Sequence, residues 1–113
     1  MPYIQIKTSA SITDKQEKSM KIRMGEAISI IPGKSESWLM LDFEDNCHLY
    51  FKGTDQPSAF LEVKIYGKAN ADVYNKLTAK LTEIVSSELN IPTDRIYVKY
   101  EEVSFWGFNG HNF

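Results

Sequence analysis

From Pro2 to Thr8 the chain alternates, with Ile4 and Ile6 on one side and Tyr3, Gln5 and Lys7 on the other, which predicts a strand with one buried face. A turn over Ser9 to Ile12 leads to Thr13, which stands at capping-box spacing from Gln16. Beyond it Met20, Met24, Ala27, Ile28 and Ile31 recur at helical intervals, and Pro32-Gly33 stops the helix. The methionines on this stripe are core side chains, well suited to filling irregular gaps. A second strand is predicted over Trp38 to Glu44, with Leu39, Leu41 and Phe43 on one side and Trp38 and Met40 on the other.

The same order then returns. Ser58 to Tyr66 alternates, with Ala59, Leu61, Val63 and Ile65 on one face, and Gly67 to Asn70 turns the chain. A helix over Ala71 to Leu89 aligns Val73, Leu77, Leu81, Ile84 and Val85. After Pro92, a fourth strand places Ile96, Val98 and Tyr100 opposite Tyr97, Lys99 and Glu101. Residues 1–113 thus read as a single domain of two matched units, about 2–45 and 58–103, followed by an aromatic segment, 104–113.

A strand–helix–strand unit joins parallel strands by a crossover. Two such units predict an α+β fold with a four-stranded sheet and both helices on one face. Large apolar residues on both sides of Trp38 to Phe43 predict that the other face is buried too, against a second copy of the chain. Asp45 to Gly53 is expected to hold a turn and a short strand around Leu49 to Phe51. The segment Ser104 to Phe113, with Phe105, Trp106, Phe108 and Phe113, is expected to pack against a neighbour.

Bulk properties narrow the function classes. Net charge is −2 with lysines and acids interleaved, so no basic face points to nucleic acid. No apolar run approaches a membrane span, and the N-terminus lacks the layout of a signal peptide. The single cysteine, Cys47, excludes an internal disulfide and suits a reducing compartment, so the cytoplasm is expected. His48 and His111 stand alone, without a partner at metal-ligand spacing, and no glycine-rich phosphate loop is present. The acids Asp42, Glu44 and Asp45 read as a solvated edge, as do Glu101 and Glu102. No cofactor is implied.

Two positions carry chemistry. Removal of Met1 would leave Pro2 with a free secondary amine at the start of a strand. An unperturbed α-amine titrates at roughly 7.7–8.0, so only about a tenth is free base at neutral pH. Apolar burial or a nearby ammonium lowers that value. A drop of about one unit, or about 1.4 kcal/mol, makes roughly half of it available as a base. Lys34 follows the Pro32-Gly33 stop, and the layout sets it beside the start of the first strand. There it can hold a carboxylate and depress the amine. Either residue alone also has a plain reading: Met-Pro begins many proteins, and a cation near a helix C-terminus is ordinary.

The proline-first start, Gly33-Lys34, Gly67-Lys68, the run Pro92-Thr93-Asp94-Arg95-Ile96-Tyr97, and the ending Trp106-Gly107-Phe108-Asn109-Gly110 with Phe113 resemble the macrophage migration inhibitory factor family of the tautomerase superfamily. The resemblance runs the whole chain. It implies a mixed four-stranded sheet, a homotrimer with sites at subunit interfaces, and keto–enol tautomerase activity on phenylpyruvate-like 2-oxo acids. By that likeness Pro2 is the general base and Lys34 binds the carboxylate, beside the backbone of Ile65 and Tyr66. Tyr97 of an adjacent subunit contacts the ring or oxygen, and Trp106, Phe108 and Phe113 form an apolar wall.

Departures from the family pattern bear on specificity. Lys99 stands where the best-known members have asparagine, and Tyr66 and Trp106 are bulkier than the usual aliphatics. Ser58 and Leu61 replace a Cys-x-x-Cys of vertebrate members, so thiol-redox activity is not expected. With only Arg23 and Arg95 present, the dehalogenase and decarboxylase branches, which add arginines near the proline, are disfavoured. The competing expectation is a cytokine-like or host-directed binding protein, leaving the cell without a signal and meeting a receptor or host protein, in which the pocket is vestigial.

Overall fold

The alternation at the N-terminus forms strand β1, Pro2–Thr8, in the computed structural model, which describes residues 1–113. Helix α1, Asp14–Ala27, follows. Its capping box is complete: the Gln16 backbone N–H donates to Thr13 Oγ1 at 3.1 Å, and the Thr13 N–H donates to Gln16 Oε1 at 2.9 Å. A short 3₁₀ turn, Ile28–Ile30, ends the helix before Pro32, and Gly33 at φ +82° takes the left-handed turn that reverses the chain. Strand β2, Met40–Glu44, completes the first unit. It begins two residues later than the alternation predicts, because Glu36–Trp38 coils into a second 3₁₀ turn.

The second unit runs through β3, Ala59–Tyr66, α2, Ala71–Leu89, and β4, Ile96–Val103. Asn70 caps α2 by accepting the Val73 N–H at 2.9 Å, and Asn90 at φ +56° terminates it before Pro92. The sheet order is β2-β1-β3-β4. β1 and β2 are parallel, as are β3 and β4, while β1 and β3 meet antiparallel with Pro2 opposite Ile65 and Thr8 opposite Ala59. Each unit therefore keeps its internal parallel pair, and the two join into one mixed sheet. Both helices cover the same face, where Ile4, Ile6, Leu61 and Ile65 meet Met20, Met24, Leu77 and Leu81, all fully buried. No helix is long and apolar enough to cross a membrane.

The opposite face is mixed rather than apolar throughout. Trp38 and Met40 are exposed at one end and Tyr97 lies against Phe60 at the other, and between them the face is charged. Tyr3 Oη donates to Asp42 at 2.9 Å, Gln5 Nε2 donates to Asp42 and Glu44, and Lys7 lies 3.7 Å from Glu44. Across the sheet Lys99 pairs with Glu62 at 3.7 Å and with Glu101 at 3.2 Å. Asp42 and Glu44, on the same side as Met40, turn a strand that reads as doubly apolar into one with a polar outer face. The expected strand around Leu49 to Phe51 is also absent from the single chain. Phe51 and Thr54 exchange two backbone bonds around Lys52 and Gly53, both at positive φ, so this segment closes a tight turn instead.

The aromatic tail folds back on its own chain. β5, Gly107–Phe108, and β6, His111–Asn112, form a hairpin around Asn109-Gly110, both at positive φ, the geometry of a primed two-residue turn. The Phe113 N–H donates to the Trp106 carbonyl at 3.0 Å. Phe105, 80% exposed, stays in solvent.

Candidate active site

The antiparallel join of the two units decides where the chain begins. Opposite Ile65, Pro2 is buried, and the Tyr66 N–H donates to the Met1 carbonyl at 3.1 Å, so the terminus is held by β3 rather than frayed. The turn after α1 brings Lys34 to the same place: its Nζ donates to the Tyr66 carbonyl at 2.7 Å and stands against the Met1 α-amine. Burial first, then the Lys34 charge and their hydrogen bond, lower that amine from 8.0 to about 6. All three causes disfavour the charged form, which is the direction a general base requires. With Met1 in place the Pro2 nitrogen is an amide and has no basicity. Its loss moves the free amine one residue inward, to a position already buried.

Beside this point lies an open cleft of about 700 Å³, lined by Pro2, Trp38, Met40, Lys64, Trp106 and Phe108 among others. Trp38 meets Phe108 edge to face at 5.0 Å. Phe113 stacks on Phe108 at 6.2 Å and lies 5.6 Å from the Tyr66 ring, so the tail and the end of β3 form one aromatic wall. A site of this kind, apolar walls with an ammonium and an amine at one end, suits a small aromatic anion.

Of the residues singled out in the sequence, the structure gathers Pro2, Lys34, the backbone of Ile65 and Tyr66, and Trp106, Phe108 and Phe113. The Ile65 side chain itself is buried in the core. Tyr97 and Lys99 are elsewhere. Tyr97 lies opposite Phe60, five positions along β3 from Ile65, or about 17 Å at strand rise. It packs against Phe51 and Phe60, and Lys99 is engaged with Glu62 and Glu101. One chain does not bring these two to its own Pro2.

Sequence reasoning missed Trp38, Met40 and Lys64 as cleft residues. Trp38 reads as a strand residue until the 3₁₀ turn at Glu36–Trp38 is known. Lys64 reads as one more outward charge in an alternating strand. Only the antiparallel register, which sets Lys64 opposite Tyr3, brings it next to the chain start.

Comparison with known proteins gives the same picture over the whole length. Residues 1–113 match the profile of the macrophage migration inhibitory factor family. The macrophage migration inhibitory factor homolog of Brugia malayi is 27% identical over 115 residues, covering 100% of this chain and 99% of that one. Among solved structures, Leishmania major MIF2 is 29% identical, with a TM-score of 0.94 over 100% of this chain and 97% of that chain. The MIF-like protein of Entamoeba histolytica, at 22% identity, shares the fold with a TM-score of 0.87 over 99% of this chain and 98% of that chain. The chain therefore belongs to the macrophage migration inhibitory factor family, within the tautomerase superfamily.

Proposed function

We propose that this chain, once Met1 is removed, is a cofactor-independent keto–enol tautomerase of phenylpyruvate-like 2-oxo acids, acting as a homotrimer. The observation that carries this reading is the seat of Pro2, buried opposite Ile65 on the wall of a partly apolar cleft, with the Lys34 ammonium held at the adjoining Tyr66 carbonyl. The burial and the Lys34 charge that lower the Met1 amine act in the same direction on the Pro2 nitrogen once Met1 is gone, enlarging its free-base share at neutral pH. In the forward direction the neutral Pro2 nitrogen takes a proton from the carbon next to the ketone. The electron pair moves into the new carbon–carbon double bond, and the enolate oxygen receives the proton back from the proline cation. Lys34 Nζ holds the carboxylate throughout, and Trp106, Phe108 and Phe113 exclude water, which favours the uncharged amine.

The assembly enters because Tyr97 sits at the far end of its own sheet. A neighbouring copy supplies it to the ring or oxygen, with Lys99 beside it. Native mass spectrometry showing monomer at working concentration would remove Tyr97 from the site.

The test is enol–keto conversion of phenylpyruvate by Met1-free protein, followed by the loss of enol absorbance. A Pro2→Gly variant that keeps its Met1 processing should lose roughly a hundredfold or more in kcat/KM. Equal rates in the two proteins would remove the proline mechanism. A second reading, a receptor-directed or host-directed binding protein with a vestigial pocket, draws on Phe105 and Tyr50, 80% and 77% exposed in the single chain. Intact-mass analysis of protein from its native source separates the two. Retained Met1 blocks the amine and favours binding over catalysis.

A further inference from the structure

Lys64 has no part in the site as the sequence presents it, yet it lines the same cleft as Pro2, Trp38 and Trp106. We infer that Lys64 is a second anion-binding group of this cleft, selecting an aromatic 2-oxo acid that carries a further carboxylate on the far side of its ring. This rests on the tautomerase reading for the chemistry but not for the binding.

Three observations support it. First, register: Met40, Tyr3, Lys64 and Glu101 lie in one row across the sheet, so Lys64 stands on the outer face immediately beside the row of Pro2 and Ile65. Lys34 Nζ is anchored at the Tyr66 carbonyl, two residues further along β3, or about 7 Å in Cα position. Lys34 is thus fixed at the chain start, and Lys64 stands separately on the cleft wall, two residues short of that anchor along β3. Second, availability: the Lys64 Nζ lies 3.8 Å from Glu101, whose other oxygen is held more closely by Lys99 at 3.2 Å. The side chains of Lys64 and Glu101 are 37% and 43% exposed, and a long ion pair of that exposure contributes little, so an incoming carboxylate displaces it readily. Third, surroundings: the Nζ sits 5.8 Å from the Tyr3 ring, and Trp38, Met40, Trp106 and Phe108 make the rest of the wall apolar. A carboxylate is attracted more strongly there than at an open surface. Lysine suits the task because its ammonium is a point charge on a flexible stem that can follow the ligand.

The test separates binding from turnover. Both tryptophans of the chain, Trp38 and Trp106, line the cleft, so intrinsic fluorescence reports occupancy. Met1-free protein is titrated with two non-reacting probes, 3-phenylpropanoate and 3-(4-carboxyphenyl)propanoate. The diacid is expected to bind about tenfold tighter, the gain of one charge-assisted contact. Lys64→Met should abolish that advantage, Lys64→Arg should keep most of it, and Glu101→Gln should enlarge it by freeing Lys64. In turnover, the loss caused by Lys64→Met should be about tenfold greater on 4-carboxyphenylpyruvate than on phenylpyruvate, and carried by KM. Equal affinity for the two probes, or an advantage that survives Lys64→Met, overturns the inference. A diacid preference without turnover of either oxo acid leaves Lys64 in its role and instead removes the tautomerase reading. If Lys64→Met unfolds, the Arg and Glu101→Gln variants decide the matter alone, since loss of preference in the first or no gain in the second overturns it.

Discussion

Lys34 and Arg95 occupy comparable places in the two units: each follows a helix-ending proline and precedes the second strand, Lys34 reaching the end of β3 and Arg95 the segment before β3. Their surroundings differ in one respect. Arg95 is buried and spends its guanidinium on four carbonyls, donating to Pro57, Phe51, Thr54 and Gln56 at 3.0 to 3.3 Å. It also lies over the Phe51 ring at 5.4 Å. Lys34 is half-buried and donates to one carbonyl, that of Tyr66, besides meeting the Met1 amine, which leaves one of its three N–H donors for something else. The same topological position is therefore saturated in one unit and open in the other. A planar fork with five donors fixes a loop; an ammonium with a spare donor beside an amine is open to a further acceptor.

This contrast has measurable consequences. Arg95→Ala should cost the most, about 3 kcal/mol of stability, because several charge-assisted bonds are lost and the 51–57 turn is released. Urea unfolding reads the loss, and Arg95→Lys should restore little of it, since one ammonium cannot serve four separated acceptors. Lys34→Met should behave in the opposite way: kcat/KM falls roughly tenfold to a hundredfold, while stability changes by less than about 0.5 kcal/mol. The pH profile adds a sign. Activity of the Met1-free protein needs the neutral Pro2 amine, so it falls as pH drops through that amine's pKa, and the Lys34 charge, which lowers the Met1 amine, acts on Pro2 in the same direction. Removing the lysine should move the acid limb to higher pH. If Lys34→Met instead destabilises the fold as much as Arg95→Ala, the distinction between the two cations collapses.

The smallest effect comes from the position that opens the second unit as Met1 opens the first. Ser58 is buried, its carbonyl accepts from Thr8 Oγ1 at 2.9 Å, but its own hydroxyl has no partner. Ser58→Ala should leave stability unchanged or raise it by up to about 1 kcal/mol, by thermal melting. A loss would mean that the hydroxyl finds a partner in the assembled protein.

Most of the fold was legible because local signals agreed with one another. The capping box at Thr13 and Gln16, the limits of α2 and the alternation in β1 and β3 each follow from interactions within a few residues, and the structure reproduces them. What escaped depends on partners distant in sequence. The polar outer face of β2 is set by Asp42 and Glu44 meeting Tyr3, Gln5 and Lys7 across a strand pair. Large apolar neighbours at the start of that strand masked it. The cleft roles of Trp38 and Lys64 required a local 3₁₀ turn and the antiparallel register of β1 with β3, neither of which periodicity encodes. Pro2 and Lys34 could be paired in advance because the crossover alone brings the end of the first helix back to the start of the first strand.

Both ends of the polypeptide converge on the cleft, Met1 and Pro2 from one side and Trp106 to Phe113 from the other. Exopeptidases can therefore edit this site directly. An aminopeptidase that removes Met1 exposes the proline nitrogen, and loss of Phe113 strips a ring from the wall. The same convergence leaves no neutral end for an affinity tag, since a fusion upstream caps the nitrogen and one downstream crowds the entrance.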